Sequence, residues 1–572
     1  MKKVLALVVM CAMLIGLLAA CGGQTPTATT AAATTAAGAT AAATTAAATT
    51  AAGATAAATT AAGATAAATT AAAATEAAPA EWPKITFWVP PNADMLVTHA
   101  NIGDTPYGKE WRRQVEVDIT FTQPPAGQET EQFNLMVAGG TLPDIIQFNI
   151  NGVYPGGAAA AIADLVIIPL NEYYDAGKMP NIKRMYDENP GFINFALLDD
   201  GTQYCFPFSR TDDILSTYVG MVLRADILAE IGKEPPHTIS EWDDVLRAFK
   251  EYGLEYPMTV QRGMLNETLF ISAYGTVDNY FVKDGQIVFG PIQPGFKDFL
   301  ALFNNWVADG LLDEEFISQD RNMINAKITS GAVGSYSGTP DSWIGVLGKI
   351  MIDEDPTVDW VGVPYPRIDR SDPKAYTQKD WQVMPNSNGT AHISTECKDV
   401  DAALRVLDWA YGDDGLLLTN WGIEGESFDY IDGKPVFNDW VKYNPDGLTM
   451  KQTMAQYTTT GLGNFVGIQL MGPVWEQRFF DFQNEAIYAW IEGGEFDWRI
   501  PPFTIPGDIA QQYAMVRTDI YTHKNENFAN FIFGDRSLDE FDDFVQEILA
   551  MNIGWVLEQM QDGYERFNAR GN

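Results

Sequence analysis

The aromatic residues of this 572-residue chain are distributed unevenly, and their distribution decides which part can fold. The chain has 15 Trp, 22 Tyr and 30 Phe, and none of them lies in the first 80 residues. Residues 22–80 are mostly Ala and Thr, with "AAGATAAATT" repeated at 51–60 and 61–70. Because this tract has no large apolar side chains, it cannot offset the entropy of ordering. We therefore expect a structureless tether over 21–82, with partial Ala helix as the alternative. The body from Pro83 is long enough for at least two cores.

The N-terminal segment has the layout of an export signal. Lys2 and Lys3 precede an apolar stretch over 4–20, and small residues stand directly before Cys21. The alternative is a retained transmembrane anchor, although this run is at the short limit for a bilayer span. The letters "LAAC" (18–21) also resemble the lipobox of bacterial lipoproteins. That resemblance implies a signal peptide over 1–20, lipid on Cys21, and attachment to the extracellular face of the cell membrane.

Charge and cysteine content exclude several classes of partner. The formal net charge is −38, and an acidic surface of this kind repels nucleic acid and anionic lipid. Only Cys205 and Cys397 lie in the body, so the chain has no disulfide framework. We favour two buried thiols over a bridge between them.

The body opens with alternating strand and helix patterns. "KITFWV" (84–89), "VDITFT" (117–122) and "DIIQF" (144–148) read as strands. The segment 131–138 places Phe133, Met136 and Val137 on one helical face before a Gly-Gly stop. Strand, helix and strand in sequence predict an α/β lobe with a largely parallel sheet. Farther along, Thr238 and Glu241 have the spacing of a capping box at the start of a helix.

The chain offers few candidates for chemistry. Its four histidines are dispersed without the spacing of a zinc site, and "GSYSG" (334–338) has Tyr336 where a nucleophile elbow needs Ser. The acidic run "DEDPTVD" (353–359) lacks the oxygen spacing of a calcium loop, so a solvated loop is the better interpretation. We predict no catalytic residue, no metal and no cofactor. A pair of carboxylates suited to glycoside hydrolysis stays open, because Asp and Glu are abundant.

Aromatic and uncharged polar residues follow the predicted strand ends. In open α/β sheets, ligands bind in the crevice outside the carboxyl ends of the strands. Flat aromatic rings suit the C–H faces of a sugar, and Asn, Asp and Arg can bond its hydroxyls. For any single Trp the core is the competing location, but as a set these residues favour a carbohydrate cleft. The candidates from the residue pattern are Trp88, Asn149, Asn151, Ser337, Trp343, Trp381 and Trp421.

Five motifs in order resemble one protein family over nearly everything after Pro83. They are "MVAGGTLPDIIQF" (136–148), "DDGTQYCFPFS" (199–209), "VLRADILAEIGKEPPHTISEWDDVLRAFKE" (222–251), "WGIEGESFDYIDGKPVF" (421–437) and "IGWVLEQMQDGYERFNAR" (553–570). The chain is similar to the extracellular solute-binding lipoproteins (family 1, large lipoprotein subgroup) of carbohydrate ABC transporters. Related binders of acidic polysaccharides carry a calcium loop, and this sequence has no matching Asp/Asn-rich loop.

The resemblance implies an α/β, two-lobed periplasmic-binding-protein-like fold of type II, with a hinge and a ligand cleft between the lobes. We predict lobe 1 at 83–212 and 378–430, and lobe 2 at 213–377 and 431–572 with C-terminal helices. Family alignment places Asn149 and Asn151 in the cleft from lobe 1, and Ser337 and Trp343 from lobe 2. Arg210 and Asp212 lie just past the first crossover, where the family often has polar ligand contacts.

The resemblance also implies a function. The protein would be a monomeric, non-enzymatic receptor that captures a sugar or oligosaccharide by hinge closure and delivers it to an ABC transporter permease. Two alternatives stay open. One is a binding protein of the same fold for a noncarbohydrate ligand such as a peptide. The other is a surface-tethered carbohydrate-active enzyme.

Overall fold

In the computed structural model the described residues are 81–210, 217, 219–265, 269–372, 381–492 and 498–570. The predicted export signal at 1–20, the tether as far as residue 80, and the predicted lipidation residue Cys21 lie outside them. So does Asp212, which was predicted to contact ligand. Pro79–Asn572 form one compact unit.

Fifteen strands occur in the described part of the chain. They are β1 (Lys84–Trp88), β2 (Asp118–Thr122), β3 (Ile145–Gln147), β4 (Phe208–Arg210), β5 (Gly220–Arg224), β6 (Tyr256–Thr259), β7 (Tyr280–Lys283), β8 (Gln286–Phe289), β9 (Val333–Gly338), β10 (Trp360–Val363), β11 (Val383–Met384), β12 (Ala391–Ile393), β13 (Phe428–Ile431), β14 (Lys434–Phe437) and β15 (Gly467–Gln469).

The α-helices of the same residues surround these strands. They are α1 (Ala93–Leu96), α2 (Pro106–Val115), α3 (Glu129–Ala138), α4 (Ile150–Val153), α5 (Gly157–Ala163), α6 (Asn171–Asp175), α7 (Pro180–Glu188), α8 (Ala225–Glu230), α9 (Ile239–Tyr252), α10 (Arg262–Leu265), α11 (Pro294–Ala308), α12 (Arg321–Thr329), α13 (Val346–Glu354), α14 (Val400–Trp409), α15 (Asp413–Asn420), α16 (Asp439–Lys442), α17 (Met450–Tyr457), α18 (Thr459–Leu462), α19 (Met471–Arg478), α20 (Asp481–Ile491), α21 (Gly507–Phe533), α22 (Phe541–Ala550) and α23 (Ile553–Ala569).

Lobe 1 is built on a four-stranded sheet in the order β12-β3-β1-β2. The predicted strands are confirmed as β1, β2 and β3, and β1 pairs in parallel with both of the others. β12 adds an antiparallel edge. The lobe has its own apolar core, in which Phe87 and Trp111 are fully buried. Apolar residues alternate along β1 and β2 because one face of each strand packs against this core.

Lobe 2 has a second sheet in the order β10-β5-β9-β6 and a separate apolar core. Its clearest local signal is the predicted capping box at the start of α9. The Thr238 hydroxyl accepts the Glu241 N–H at 3.3 Å, and the Glu241 carboxylate accepts the Thr238 N–H at 3.1 Å. The helix then buries Trp242 and Phe249 and ends at Gly253, whose φ of 109° suits glycine.

Three short strands join the lobes in a hinge sheet of order β11-β4-β15. Phe206 precedes β4 in the core of lobe 1, and β5 follows in lobe 2. β11 returns the chain to lobe 1, and β15 leads from Phe465 of lobe 1 to Val474 of lobe 2. Each of the three strands of this sheet therefore lies where the described chain passes between the lobes.

The segment between our predicted boundary at residue 430 and β15 contacts both lobes. Helix α17 packs on α1 and α2 of lobe 1, although Met454 within it also reaches the core of lobe 2. The hairpin β13–β14 places Phe428 and Phe437 in the core of lobe 2. The boundary at residue 430 stays a prediction.

The two cysteines of the body are free thiols. Cys205 is buried, as predicted, and Cys397 is only half-buried. Burial raises the pKa of both thiols, the value for Cys397 reaching about 12. Neither is therefore a reactive thiolate at neutral pH.

Candidate functional site

The strand order of lobe 1 reverses at β1, and this reversal marks a crevice. From β1 the chain continues to β2 on one side and later to β3 on the other. Ligands of open α/β sheets bind at such a switch point, outside the carboxyl ends of the strands. The residues that follow β1 and β3 are 89–92 and 148–151.

A cavity of about 250 Å³ opens at these strand ends. We call it the amide pocket, because five of its ten lining residues carry side-chain amides and, among the described residues, none of its lining is charged. Its apolar part comes from prolines, Met95, Ile102 and the ring of Phe465. The lining residues are Pro90, Pro91, Asn92, Met95, Ile102, Gln123, Gln147, Asn388, Asn464 and Phe465.

Three of the amides hold the loops that form this pocket. The Gln147 Oε1 accepts the backbone N–H of Val466 at 3.2 Å, which fixes the segment before β15 beside β3. The Gln123 Oε1 accepts the N–H of Ile102 at 3.0 Å. The Asn92 Oδ1 accepts the N–H of Met95 at 2.9 Å and caps α1. Each bond uses an amide oxygen, and the strand ends are thereby tied to the loops around them.

The other two amides are brought together by Gly389. A Cβ at Gly389 would lie 2.7 Å from the backbone N of Phe465 and 2.8 Å from the backbone carbon of Asn464, so only glycine allows this approach. The side chains of Asn388 and Asn464 are both exposed. Neither amide has a hydrogen-bond partner among the described residues. They are therefore available to bond a ligand with hydroxyl groups.

A chain of charged side chains connects the two lobes next to this pocket. The Lys451 Nζ lies 3.1 Å from the Asp94 carboxylate on α1 and 3.9 Å from the Asp341 carboxylate of lobe 2. Asp341 follows β9 and is bonded at 2.6 Å by Arg478. Asp94 is adjacent in sequence to Met95, which lines the pocket. We call these four residues the interlobe ion chain.

A larger cavity of about 710 Å³ is walled by both lobes, by the hinge and by the C-terminal helix. Lobe 1 supplies Phe192 and Phe195, the hinge supplies Trp381, and Trp498 and Tyr564 come from lobe 2. We call it the aromatic cavity. The Trp381 ring carries the Arg499 guanidinium at 4.0 Å from its centroid, and its Nε1 donates to the Ile500 carbonyl at 3.1 Å.

A third cavity, of about 650 Å³, shares Phe195 with the aromatic cavity. It is lined by Asn151, Tyr204, Asn386 and Arg570. The Asn151 amide donates to the Tyr204 hydroxyl at 2.7 Å and to the Asn386 Oδ1 at 3.0 Å. Arg570 bonds the Asp199 carboxylate of lobe 1 through its Nε at 3.0 Å, so the C-terminal helix is attached to both lobes.

Beneath Tyr204 lies a buried histidine. His392 of β12 has a ring nitrogen 3.1 Å from the Tyr204 carbonyl, and its ring stacks on that of Tyr204. Burial lowers the pKa of His392 to about 4, because the charged form would lose its hydration. His392 is therefore neutral at physiological pH. It acts as part of the wall and not as a proton carrier in the cleft.

The structure separates the predicted site residues into two groups. Asn151 and Trp381 line cavities, Arg210 ends hinge strand β4, and Asn149 caps α4 by accepting the Gly152 N–H. The second group packs in the two cores. Trp88 is 6% exposed, Trp343 is 2%, Trp421 is 3% and Ser337 is fully buried. In this conformation these four side chains offer no surface to a cleft ligand, because strand and helix packing already covers them.

The pocket amides were missed by the sequence reasoning, which sought aromatic rings. A signal for them existed, since Asn92 and Gln123 each follow a strand within a few residues. Asn388 and Asn464 had no such signal, because the contact through Gly389 joins segments that are distant in sequence.

Comparison with known proteins agrees with this architecture. The sequence profile of the family described as bacterial extracellular solute-binding protein matches residues 103–416, more than half of the chain. The chain belongs to this family. As a family member it also resembles lipoprotein LipO of Bacillus subtilis, at 22% identity over 64% of this chain and 72% of that relative.

Two further relatives of this solute-binding protein have names that state what they bind. The fructooligosaccharide ABC transporter substrate-binding protein FusA of Streptococcus pneumoniae is 28% identical over 36% of this chain and 41% of its own length. The HMO-binding, ABC-transporter-associated solute-binding protein of Bifidobacterium longum infantis has a solved structure. It matches with a TM-score of 0.68 at 17% identity, over 85% of this chain and 99% of that one. The structural match concerns the fold.

Among the described residues of this solute-binding protein, none of the helices is both long and apolar enough to cross a bilayer. Within the same residues, no group of three or more His, Cys, Asp or Glu side chains is placed to hold a metal ion.

Proposed function

We propose that this protein captures a sugar or oligosaccharide between its two lobes and delivers it to an ABC transporter permease. The observation that carries the proposal is the amide pocket at the switch point of lobe 1, which presents the uncovered amides of Asn388 and Asn464 beside a hinge. Neutral amides both donate and accept hydrogen bonds, as sugar hydroxyls do. The names of FusA and of the HMO-binding structural relative are consistent with a saccharide ligand.

Ligand capture would proceed by closure about the three hinge strands. A ligand held by lobe 1 favours the closed form only through contacts that it also makes with lobe 2. Asp341 and the turn after β9 lie where lobe 2 reaches lobe 1 through Lys451. A micromolar ligand corresponds to about −8 kcal/mol, which several hydrogen bonds and a buried ring face supply after ordering costs.

Three of the predicted residues stay in the proposal beside the amide pocket. Asn151 and Trp381 line the neighbouring cavities and would contact the remote end of a long ligand. Arg210 is placed on the hinge, with its guanidinium 5.3 Å from the centre of the Phe208 ring. Trp88, Ser337, Trp343 and Trp421 are left out because they are buried in the cores.

We also propose that the protein is anchored outside the cell by lipid on Cys21, after removal of residues 1–20. The proposal is supported by the "LAAC" sequence and by the likeness to a relative named as a lipoprotein. A tether over 21–82 would let the lobes turn and close near the permease. Mass spectrometry of the mature N-terminus tests the anchor, and an unmodified Cys21 would overturn it.

The central experiment measures saccharide binding and saccharide cleavage together. The protein is titrated calorimetrically with a panel of mono- and oligosaccharides, and each mixture is then analysed by chromatography for products. Binding with the saccharide recovered intact is the expected result. Cleavage would show an enzyme instead, and binding of peptides but of no saccharide would show a receptor for a noncarbohydrate ligand.

A further inference from the structure

The amide pocket differs from most polar sites in having no charge of its own. Its polar lining consists of Asn92, Gln123, Gln147, Asn388 and Asn464, and no Asp, Glu, Lys, Arg or His of the described chain joins them. A neutral ligand can satisfy such a lining completely, since amides bond hydroxyls in both directions. A ligand carboxylate would enter the same space without a counter-ion.

The cations of the interlobe ion chain cannot easily supply that counter-ion. Lys451 lies between the carboxylates of Asp94 and Asp341, at 3.1 Å and 3.9 Å. Arg478 is bonded to Asp341 at 2.6 Å, and its side chain is only 7% exposed. The interlobe ion chain thus has two cations and two anions that already neutralise one another. A ligand carboxylate would have to break one of these pairs, and it would also approach Asp94 itself.

The size of the pocket sets the part of the ligand that it can hold. Pockets for drug-sized ligands span about 300–1,000 Å³, and the amide pocket, at about 250 Å³, falls just below this range. It accommodates one sugar ring and not a chain of several rings. The rest of an oligosaccharide would extend out of the pocket, toward the hinge and lobe 2.

We propose that the amide pocket binds one uncharged sugar unit and discriminates against sugar acids at that position. This inference rests on the proposed function, because it concerns the ligand of the same cleft. Its physical basis is the cost of removing an ion from water without a partner, which far exceeds the cost of removing a hydroxyl that regains its hydrogen bonds. The acidic surface, with a net charge of −38, also repels sugar acids over a longer range.

The test uses matched pairs of saccharides. Each neutral oligosaccharide that binds is compared calorimetrically with the analogue whose terminal hexose is oxidised to a uronate. The expected result is at least tenfold weaker binding of the uronate member. Equal affinity of the two members, or tighter binding of the uronate, would overturn the inference and leave the proposed function standing. Binding of no saccharide at all would overturn the proposed function, and this inference with it.

A variant that adds a positive charge to the amide pocket should improve its binding of sugar acids. Asn464→Lys places a cation in the pocket at an exposed position, where the fold tolerates a longer side chain. We expect the ratio of uronate to neutral affinity to rise about tenfold or more. Asn134→Lys is the matched control, since Asn134 is exposed on α3 of the same lobe and does not line the pocket. An equal change of the ratio in both variants, or no change in Asn464→Lys, would contradict the inference.

Discussion

The amide pocket and the aromatic cavity differ in how much of their lining is already in use. In the aromatic cavity, Trp381 has one ring face under Arg499 and its N–H bonded to a carbonyl, and Phe195 packs 5.1 Å from the centre of its ring. In the amide pocket, Asn388 and Asn464 are exposed and have no partner among the described residues. In the aromatic cavity, which is the larger of the two, the ring face and N–H of Trp381 are therefore already in contact with other protein groups.

This difference bears on how a binding site is recognised. Aromatic rings are effective sugar platforms, but they are also the side chains that stabilise cores and interlobe contacts most. An exposed amide contributes little to packing, so two exposed and unpaired amides held together by a glycine are a better sign of a ligand site. If the two regions differ in role, substitutions in each should affect ligand affinity and stability differently.

The largest effect is expected from acid, at the wall behind the third cavity. The folded-state pKa of His392 is about 4, below the usual 6.5 of the unfolded chain, so the unfolded state binds more protons between these values. The contribution of neutral His392 to the free energy of unfolding is therefore fully present above pH 6.5 and is lost as the pH falls toward 4. The total loss is about 3 kcal/mol, at 1.36 kcal/mol per pKa unit. Chemical denaturation at pH 7 and at pH 4.5 measures this loss.

The variant His392→Gln isolates that contribution, because Gln has no charged form. Its stability should fall less steeply with acid than that of the wild type, whatever its stability at pH 7. Equal slopes would mean that other groups cause the acid loss. Saccharide affinity at pH 6.5 to 7.5 should be the same in both proteins, since His392 does not line the amide pocket.

The second effect is expected from Gly389→Ala, which acts on the amide pocket and brings the new Cβ 3.1 Å from the Phe208 Cβ of β4. The added Cβ would meet backbone atoms of Asn464 and Phe465 at less than 3.0 Å, so one of the two loops must move. Overpacking of this kind costs about 1–3 kcal/mol of stability. Because Asn388 and Asn464 would separate, saccharide affinity should fall more than tenfold. Thermal unfolding and calorimetric titration measure the two effects.

A matched control for this variant is Gly554→Ala, since a Cβ at Gly554 meets nothing within 4 Å and Gly554 lines none of the three cavities. It should leave both stability and affinity nearly unchanged. Unaltered saccharide affinity in Gly389→Ala would show that the amide pocket is not the ligand site.

The parts of this fold that the sequence predicted are those with local causes. The strands of lobe 1 and the capped helix α9 follow from alternation and from the Thr238–Glu241 pair, which act within a few residues. The meeting of Asn388 with Asn464 depends on a contact between distant segments. Nothing in the sequence near residue 464 indicates it.

The same distinction explains the tryptophans. In the sequence, three tryptophans stand at strand ends or in loops: Trp88, Trp343 and Trp421. The only sequence argument against placing them in a ligand site was the general tendency of large aromatic rings to lie in the core, where the structure has them. Trp88 is covered by Phe148, which packs edge-on at 5.3 Å, and Trp421 packs against Phe437 with the ring centres 5.0 Å apart and the ring planes tilted by 39°. These partners become neighbours only after the chain has folded. A loop position alone therefore could not decide between core and cleft.

The third prediction compares one residue from each region. Asn464→Ala should weaken saccharide binding about fivefold, because one hydrogen bond contributes about 1 kcal/mol, and it should leave the melting temperature unchanged. Trp381→Ala should lower the melting temperature, since its ring and N–H are both in contact with the protein, and should change affinity less than Asn464→Ala. The opposite order of affinities would place the main ligand contacts in the aromatic cavity.

The smallest effect is expected from the interlobe ion chain. Lys451→Met removes a side chain that is 40% exposed, and Asp341 keeps its bond to Arg478. Exposed ion pairs contribute about 0–1 kcal/mol, so we expect a change in unfolding free energy below about 0.5 kcal/mol. Met keeps the apolar stem, which separates loss of charge from loss of packing. A destabilisation above about 1 kcal/mol that disappears at high salt would contradict this. It would show that ion pairs, as well as the hinge, hold the lobes together beside the amide pocket. Entry of a ligand to the uncharged pocket would then depend on these charges.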